Sequence, residues 1–186
     1  MTRVTATIAL VAVIVGCTAA PQPTLPPRPT VPDGWRTVIS ESELIELVVP
    51  PDLEVYHVTD LISGSRLTDG VRDPLMLRAT SPLSLAQPAA DESATEWAER
   101  SGALTGHQVD ATVGRVERRD LLLPAGPALE LTTAYRVDSD DYWTIVTVID
   151  TREGYALLEF GGQGPPPVGP FEDIGLMQQL IRFGGR

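Results

Sequence analysis

Four strand-like segments in the second half of the chain constrain the fold more than any other feature. Each is bounded by a short cluster of turn residues. They are residues 113–123, 128–137, 142–150 and 155–161. In the second segment, apolar Leu129 and Leu131 alternate with polar Glu130 and Thr132, which is typical of a strand with one buried face. Closely spaced strands of this kind predict an antiparallel meander.

Shorter elements surround this meander. Further strands are predicted at residues 35–40, 44–49, 53–58 and 75–80. A polar loop carrying Gly64 and Gly70 is expected before the last of these. A helix is predicted from Ser93, because Ser93 and Glu96 have the spacing of a capping box, and a second helix is predicted at residues 171–182. Residues 143–149 are apolar on both faces, so this strand should be central and covered by a helix on at least one side. The expected fold class is α+β, with an antiparallel sheet between helices in an α/β/α sandwich.

The N-terminus predicts a lipid anchor. An apolar stretch after Arg3 ends in Ile14-Val15-Gly16-Cys17, which has the form of a bacterial lipobox. We therefore expect residues 1–16 to be a signal peptide and Cys17 to carry a diacylglycerol. Residues 17–32 would form a proline-rich tether and residues 33–186 a single globular domain, held on the extracytoplasmic side of the cell membrane. The alternative is a secretory signal cut near Ala19-Ala20, which would remove Cys17 with the discarded peptide.

Composition excludes several kinds of chemistry. All 14 basic residues are arginine, with no lysine in the sequence. This excludes a Schiff-base lysine, a Walker lysine and a Ser-x-x-Lys pair, and the arginine-only usage suggests a GC-rich, actinobacterial source. The formal net charge of −11 makes a nucleic-acid partner a poor expectation.

Catalytic and metal-binding motifs are weak. His57 and His107 are the only histidines, and their spacing matches no zinc pattern. The acidic residues 138–141 lack the glycine and distant glutamate of an EF-hand and indicate a hairpin turn. There is no Gly-x-Ser-x-Gly elbow, and Ser63-Gly64-Ser65 is predicted to lie in a flexible loop. We expect no catalytic residue, no metal and no cofactor, with a hydrolase ranked third among possible functions.

The segment at 113–123 is unusually charged for a strand. Arg115, Glu117 and Arg119 share one face, and Arg118 and Asp120 share the other. Charges of this kind can protect a sheet edge from aggregation. The functional alternative is that Arg115, Arg118 and Arg119 bind a partner.

The order of elements is similar to that of a known family. The lipobox, the tether, Leu47-Val48-Val49-Pro50-Pro51, the helix before Gly106-His107, the turn at 123–128 and the last helix, at 171–183, carry the likeness. Over residues 33–183 the chain resembles Lpq-type actinobacterial lipoproteins of the PsbP-like, Ran-binding Mog-type group. The resemblance implies an antiparallel sheet between helices and a protein-binding role without catalysis.

These observations lead to two functional expectations. The first is a non-catalytic, lipid-anchored envelope protein that docks to another envelope or secreted protein. The second is a carrier of a small apolar or lipid ligand, held between helix and sheet near Trp97 and Trp143. Tryptophans at such positions are more often core residues.

Overall fold

The computed structural model describes residues 24–68, 71–89, 91–165 and 172–184. Within them the chain forms strands and two short α-helices. In chain order they are β1 (Arg36–Ile39), β2 (Ile45–Val49), β3 (Leu53–Val58), β4 (Leu61–Thr68), β5 (Val71–Thr80), α1 (Ala94–Arg100), β6 (Thr112–Leu123), β7 (Gly126–Val137), β8 (Asp140–Thr151), β9 (Gly154–Gln163), α2 (Glu172–Leu180) and β10 (Arg182–Phe183). A 3₁₀ turn, Ala103–Thr105, follows α1.

The strands form two sheets. The large sheet has seven antiparallel strands in the order β3-β4-β5-β9-β8-β7-β6, and the small sheet has the order β1-β2-β10. The predicted meander is confirmed, since β6 to β9 are neighbours in the large sheet. The predicted central strand is also confirmed, because β8 lies between β9 and β7 and most of its residues from Trp143 to Ile149 are buried.

The two faces of the large sheet are covered differently. The small sheet and α2 cover one face, here called the α2 face, where Leu47 and Met177 pack with Leu158 and Phe160. On the opposite face, here called the α1 face, α1 and its 3₁₀ turn pack Trp97 and Leu104 onto Leu131, Val146 and Leu157. They cover only part of the α1 face, and the strands β3, β4 and β5 extend beyond them.

The expected α/β/α sandwich is wrong. The domain is mostly β, and one face of its main sheet is covered chiefly by a second sheet. The physical reason lies in β2, whose Ile45, Leu47 and Val49 are fully buried while its backbone pairs with β1 and β10 instead of the large sheet. The last helix is also shorter than predicted, because Arg182 already pairs with Glu46 of β2.

The predicted polar loop before residue 75 is a second correction. Gly70 lies outside the described residues, but Ser63, Gly64 and Ser65 lie within β4, between β3 and β5. A Cβ at Gly64 would come 2.7 Å from the carbonyl oxygen of Glu54, so the residue is small because β3 approaches it closely. A strand of small and polar residues lacks the apolar alternation that would have predicted it.

The predicted start of α1 is confirmed. The Ser93 hydroxyl accepts a hydrogen bond from the Glu96 backbone N–H, and the Glu96 carboxylate accepts one from the Ser93 N–H in return. This capping box satisfies backbone donors that the first helical turn cannot pair. It fixes where α1 begins, and therefore where the following 3₁₀ turn and His107 lie over the sheet.

Candidate functional site

A cleft of about 850 Å³ opens on the part of the α1 face that the helix leaves uncovered. Its walls combine aromatic, sulfur-containing and aliphatic side chains with a few polar groups. The lining residues are Tyr56, Leu61, Ser63, Gly64, Ser65, Met76, Leu77, Arg78, Gly106, His107, Gln108, Tyr135, Tyr142, Thr144, Glu159, Phe160, Gly161, Gly162 and Gln163. A concave site with mostly apolar walls and few polar groups is typical of small-molecule binding.

Strand register brings the polar groups together. Arg78 of β5 is opposite Glu159 of β9, and Ser63 of β4 is opposite Arg78. Because residues directly opposite each other in a sheet project to the same face, all three side chains lie on the α1 face. The pairing of β4 with β5 and that of β5 with β9 bring these three residues together.

Glu159 is the most unusual group in the cleft. It is only 6% exposed, and its Oε1 lies 3.0 Å from His107 Nε2. Its Oε2 lies 3.7 Å from Arg78 Nε, too far for a hydrogen bond. Glu159 Oε2 and Arg78 Nε are both buried and have no hydrogen-bond partner among the described residues. Such groups are rare in folded proteins and costly to keep.

His107 reaches Glu159 from the loop after α1. Its backbone N–H donates to the Gly102 carbonyl at 2.8 Å, and its φ of 65° is in the left-handed region, where histidine is uncommon. The tautomer of His107 decides which of the two side chains donates in this contact. The loop therefore places the imidazole ring of His107 against the buried acid.

Two tyrosines form one wall of the cleft. The rings of Tyr135 and Tyr142 stack with centroids 5.6 Å apart and an interplanar angle of 18°. Burial, with a smaller contribution from Tyr142, raises the pKa of Tyr135 above its ordinary value, so its hydroxyl stays neutral. At the rim, Tyr56 and Met76 are 47% and 67% exposed. The wall therefore presents apolar ring surface with hydroxyl groups that can form hydrogen bonds.

The sequence alone does not reveal this site. His107, Glu159 and Arg78 are far apart in the chain, and no motif connects them. The other histidine, His57, lies on β3. Among the described residues no group of three or more His, Cys, Asp or Glu is placed to hold a metal ion.

The arginines predicted to bind a partner lie on β6, an edge strand of the large sheet, and do not line the cleft. Arg115 pairs with Glu117 at 3.1 Å, and Arg118 pairs with Asp120 at 3.3 Å. Arg119 pairs at 2.9 Å with Glu130, whose carboxylate also accepts from Gln178 of α2. Arg119 thus has a structural role, and docking of a partner along β6 stays a prediction.

The tryptophans are core residues. Trp97 is 1% and Trp143 5% exposed, and they belong to separate clusters on opposite faces of the large sheet. Neither lines the cleft. A single ligand between helix and sheet cannot border both of them, and the carrier role stays a prediction.

The described part of the proline-rich segment contacts the domain. Arg28 Nη2 donates to the Ile181 carbonyl oxygen at 3.2 Å. Residues 1–16 and Cys17 lie outside the described residues, so the lipobox stays a prediction. In the described part of the chain, no helix has the length and apolar character needed to span a membrane.

Comparisons with known proteins assign no family. No family model matches the chain, and neither does any curated protein sequence. Solved structures do match, among them a protein of Bacteroides thetaiotaomicron with a TM-score of 0.45 and 10% sequence identity. The match covers 82% of this chain and 49% of that one, so this chain spans about half the length of the structure that it matches. The resemblance to Lpq-type lipoproteins accordingly stays a prediction.

Proposed function

We propose that this protein is a non-catalytic binding module that holds a small molecule in the cleft. The observation that supports the proposal most directly is the Glu159 Oε2 atom, which is buried in the cleft without a hydrogen-bond partner among the described residues. Leaving such an acceptor without a hydrogen bond costs about 1–3 kcal/mol. A ligand that displaces the partly exposed Arg78 side chain and donates to Oε2 would recover that free energy.

The geometry favours binding over catalysis. His107 Nε2 faces the carboxylate of Glu159, and the Thr144 hydroxyl donates to the Leu104 carbonyl at 2.8 Å. Neither contact is the hydroxyl-to-histidine hydrogen bond that activates a nucleophile. We therefore assign His107 and Glu159 to recognition of the ligand.

We further propose that this module works at the outer side of the cell membrane. The sequence Ile14-Val15-Gly16-Cys17 supports lipid attachment at Cys17, which would hold the domain in the envelope. A carrier or receptor for a small molecule fits that location. The alternative role, docking to an envelope or secreted protein, would use β6 and leave the cleft free.

Blocking the cleft tests the proposal. We expect Ser63→Trp to abolish retention of small molecules from a cell extract, since a large side chain at Ser63 fills the cleft next to Arg78. The measurement is native mass spectrometry of the full chain after incubation with the low-molecular-mass fraction of its source cells. Ser84→Trp is the matched control, because Ser84 is exposed and does not line the cleft.

Adduct retention by wild type and the two variants separates binding in the cleft from binding elsewhere. Wild type and Ser84→Trp should retain a non-covalent adduct that Ser63→Trp lacks. Equal retention by all three proteins, or no adduct on any of them, would contradict binding in the cleft. Circular dichroism of each variant confirms that the added tryptophan leaves the fold intact.

A further inference from the structure

We infer that the ligand presents adjacent hydroxyl groups, as a neutral sugar or polyol does, and that these bind between Glu159 and Arg78. The inference rests on the proposed function, that the cleft holds a small molecule. It adds the chemical class of that molecule. Three features of the cleft carry it: its local charge, its unpaired hydrogen-bonding atoms and its aromatic wall.

The local charge favours a neutral ligand. The Glu159 carboxylate and the Arg78 guanidinium carry opposite charges, and their closest atoms are 3.7 Å apart. A cationic ligand that approached Glu159 would meet Arg78 at the same place, and an anionic ligand that approached Arg78 would meet Glu159. Like charges brought together at a site oppose binding. A ligand without net charge avoids both repulsions.

The unpaired atoms require a donor and an acceptor side by side. Glu159 Oε2 only accepts, and Arg78 Nε only donates. Both atoms are buried without a hydrogen-bond partner among the residues described. The Ser65 hydroxyl, which also lines the cleft, is likewise buried without such a partner. A hydroxyl group both donates and accepts. Neither Glu159 Oε2 nor Arg78 Nε is open to solvent in the free protein, so the ligand must shift the partly exposed Arg78 side chain to reach them. Two adjacent ligand hydroxyls then satisfy the acid and the arginine together, one donating and the other accepting.

The wall of the cleft fits the remainder of such a molecule. The C–H surface of a sugar ring is apolar, and Tyr135, Tyr142 and Met76 offer apolar surface beside the polar pair. Tyrosine combines a rigid apolar ring with a hydroxyl that can form a hydrogen bond. A ligand with a fully hydrocarbon surface would instead leave Glu159 Oε2 and Arg78 Nε without a hydrogen bond.

Two sources could supply this chemistry, a free oligosaccharide or the headgroup of a glycolipid. The first experiment is saturation-transfer NMR on the full chain with four separate probes: maltose, methyl α-D-mannopyranoside, tetramethylammonium and succinate. We expect saturation transfer to at least one sugar and to neither ion. The second experiment measures sedimentation with phosphatidylglycerol vesicles, either plain or containing galactosyl diacylglycerol.

Matched variants locate the contact. We expect Glu159→Gln to weaken sugar or glycolipid binding about tenfold or more, because an ionic hydrogen bond to a buried acceptor is lost. Glu153→Gln is the control, since Glu153 is an exposed acid outside the cleft lining. If Glu159→Gln fails to fold, Ser65→Ala removes one hydroxyl of the site and should weaken binding about threefold. Circular dichroism decides which variant is used.

The outcomes separate this inference from the proposed function. Binding of a free sugar, or binding only to glycolipid vesicles, supports the inference when Glu159→Gln weakens it and Glu153→Gln does not. Preference for tetramethylammonium or succinate overturns the inference, and so does sugar binding that is equal in both variants. Absence of binding to every sugar and vesicle also overturns it. In each of these cases, an extract-derived adduct that Ser63→Trp abolishes would leave the proposed function standing.

Discussion

Replacing Trp97 by alanine is expected to lower the free energy of unfolding by about 4 kcal/mol. Trp97 is 1% exposed and packs against the large sheet with Leu131, Val146 and Leu157. Its ring meets Tyr155 edge to face, with centroids 5.3 Å apart. The substitution leaves a large cavity between α1 and the sheet, and urea unfolding followed by circular dichroism measures its cost.

A milder substitution separates packing from hydrogen bonding. The indole N–H of Trp97 donates to the Ala86 carbonyl at 2.6 Å. Trp97→Phe keeps an aromatic ring but loses this donor, so we expect a loss of about 2 kcal/mol, smaller than for alanine. Equal losses in the two variants, or a loss below about 1 kcal/mol in Trp97→Ala, would contradict this account of α1 as a packed anchor.

Trp97 also affects the cleft, because it anchors the helix that leads to His107. The helix that it anchors leads into the 3₁₀ turn Ala103–Thr105, and His107 lies two residues after the end of that turn. Loosening α1 should therefore free the histidine from Glu159. We expect ligand binding by the folded fraction of Trp97→Ala to weaken as well.

Replacing Gly126 by alanine is expected to destabilise the fold by about 3 kcal/mol or more. Gly126 begins β7 and has a φ of +150°, in a region that residues with a side chain rarely adopt. An added Cβ would also clash with the backbone carbonyl oxygen of Asp150 on β8. Because that oxygen belongs to the neighbouring strand, the clash can be relieved only by moving the sheet. Thermal unfolding of the variant measures the effect.

Gly164 provides the matched control. Its φ of +96° is also strained for other residues, but no atom lies within 4 Å of an added Cβ. Gly164→Ala should therefore lower the free energy of unfolding by about 1 kcal/mol, the cost of the strained backbone conformation alone. If the two variants were equally destabilised, the clash with Asp150 would contribute nothing and the account of the β7 start would be wrong.

The sequence predicted the local elements better than their assembly. Apolar alternation in β7 and the Ser93–Glu96 box depend on neighbouring residues, and both are confirmed in the structure. The layer arrangement depends on which strands pair across long separations. Nothing in the mostly apolar segment Ile45–Val49 indicates that it joins β1 and β10 in a sheet separate from the large one, so the α/β/α expectation failed there.

The sequence did not predict the cleft for a related reason. Arg78 and Glu159 each interrupt a short apolar run, in Met76-Leu77-Arg78-Ala79 and Leu157-Leu158-Glu159-Phe160. A single charge inside a buried strand is costly unless it is paired, so these two positions carried a usable signal. Their partnership required the pairing of β5 with β9, two strands that are far apart in the chain. The placement of His107 beside them required the path of the loop after α1.

Methionine methyl NMR tests the central claim most directly. Met76 lies in the cleft lining and is 67% exposed, whereas Met177 is fully buried in the core on the α2 face. Protein labelled at the methionine methyl groups is titrated with the low-molecular-mass fraction of its source cells. Binding in the cleft predicts a saturable shift of the Met76 signal with Met177 unchanged. An unchanged Met76 signal, or equal shifts of both, would contradict it.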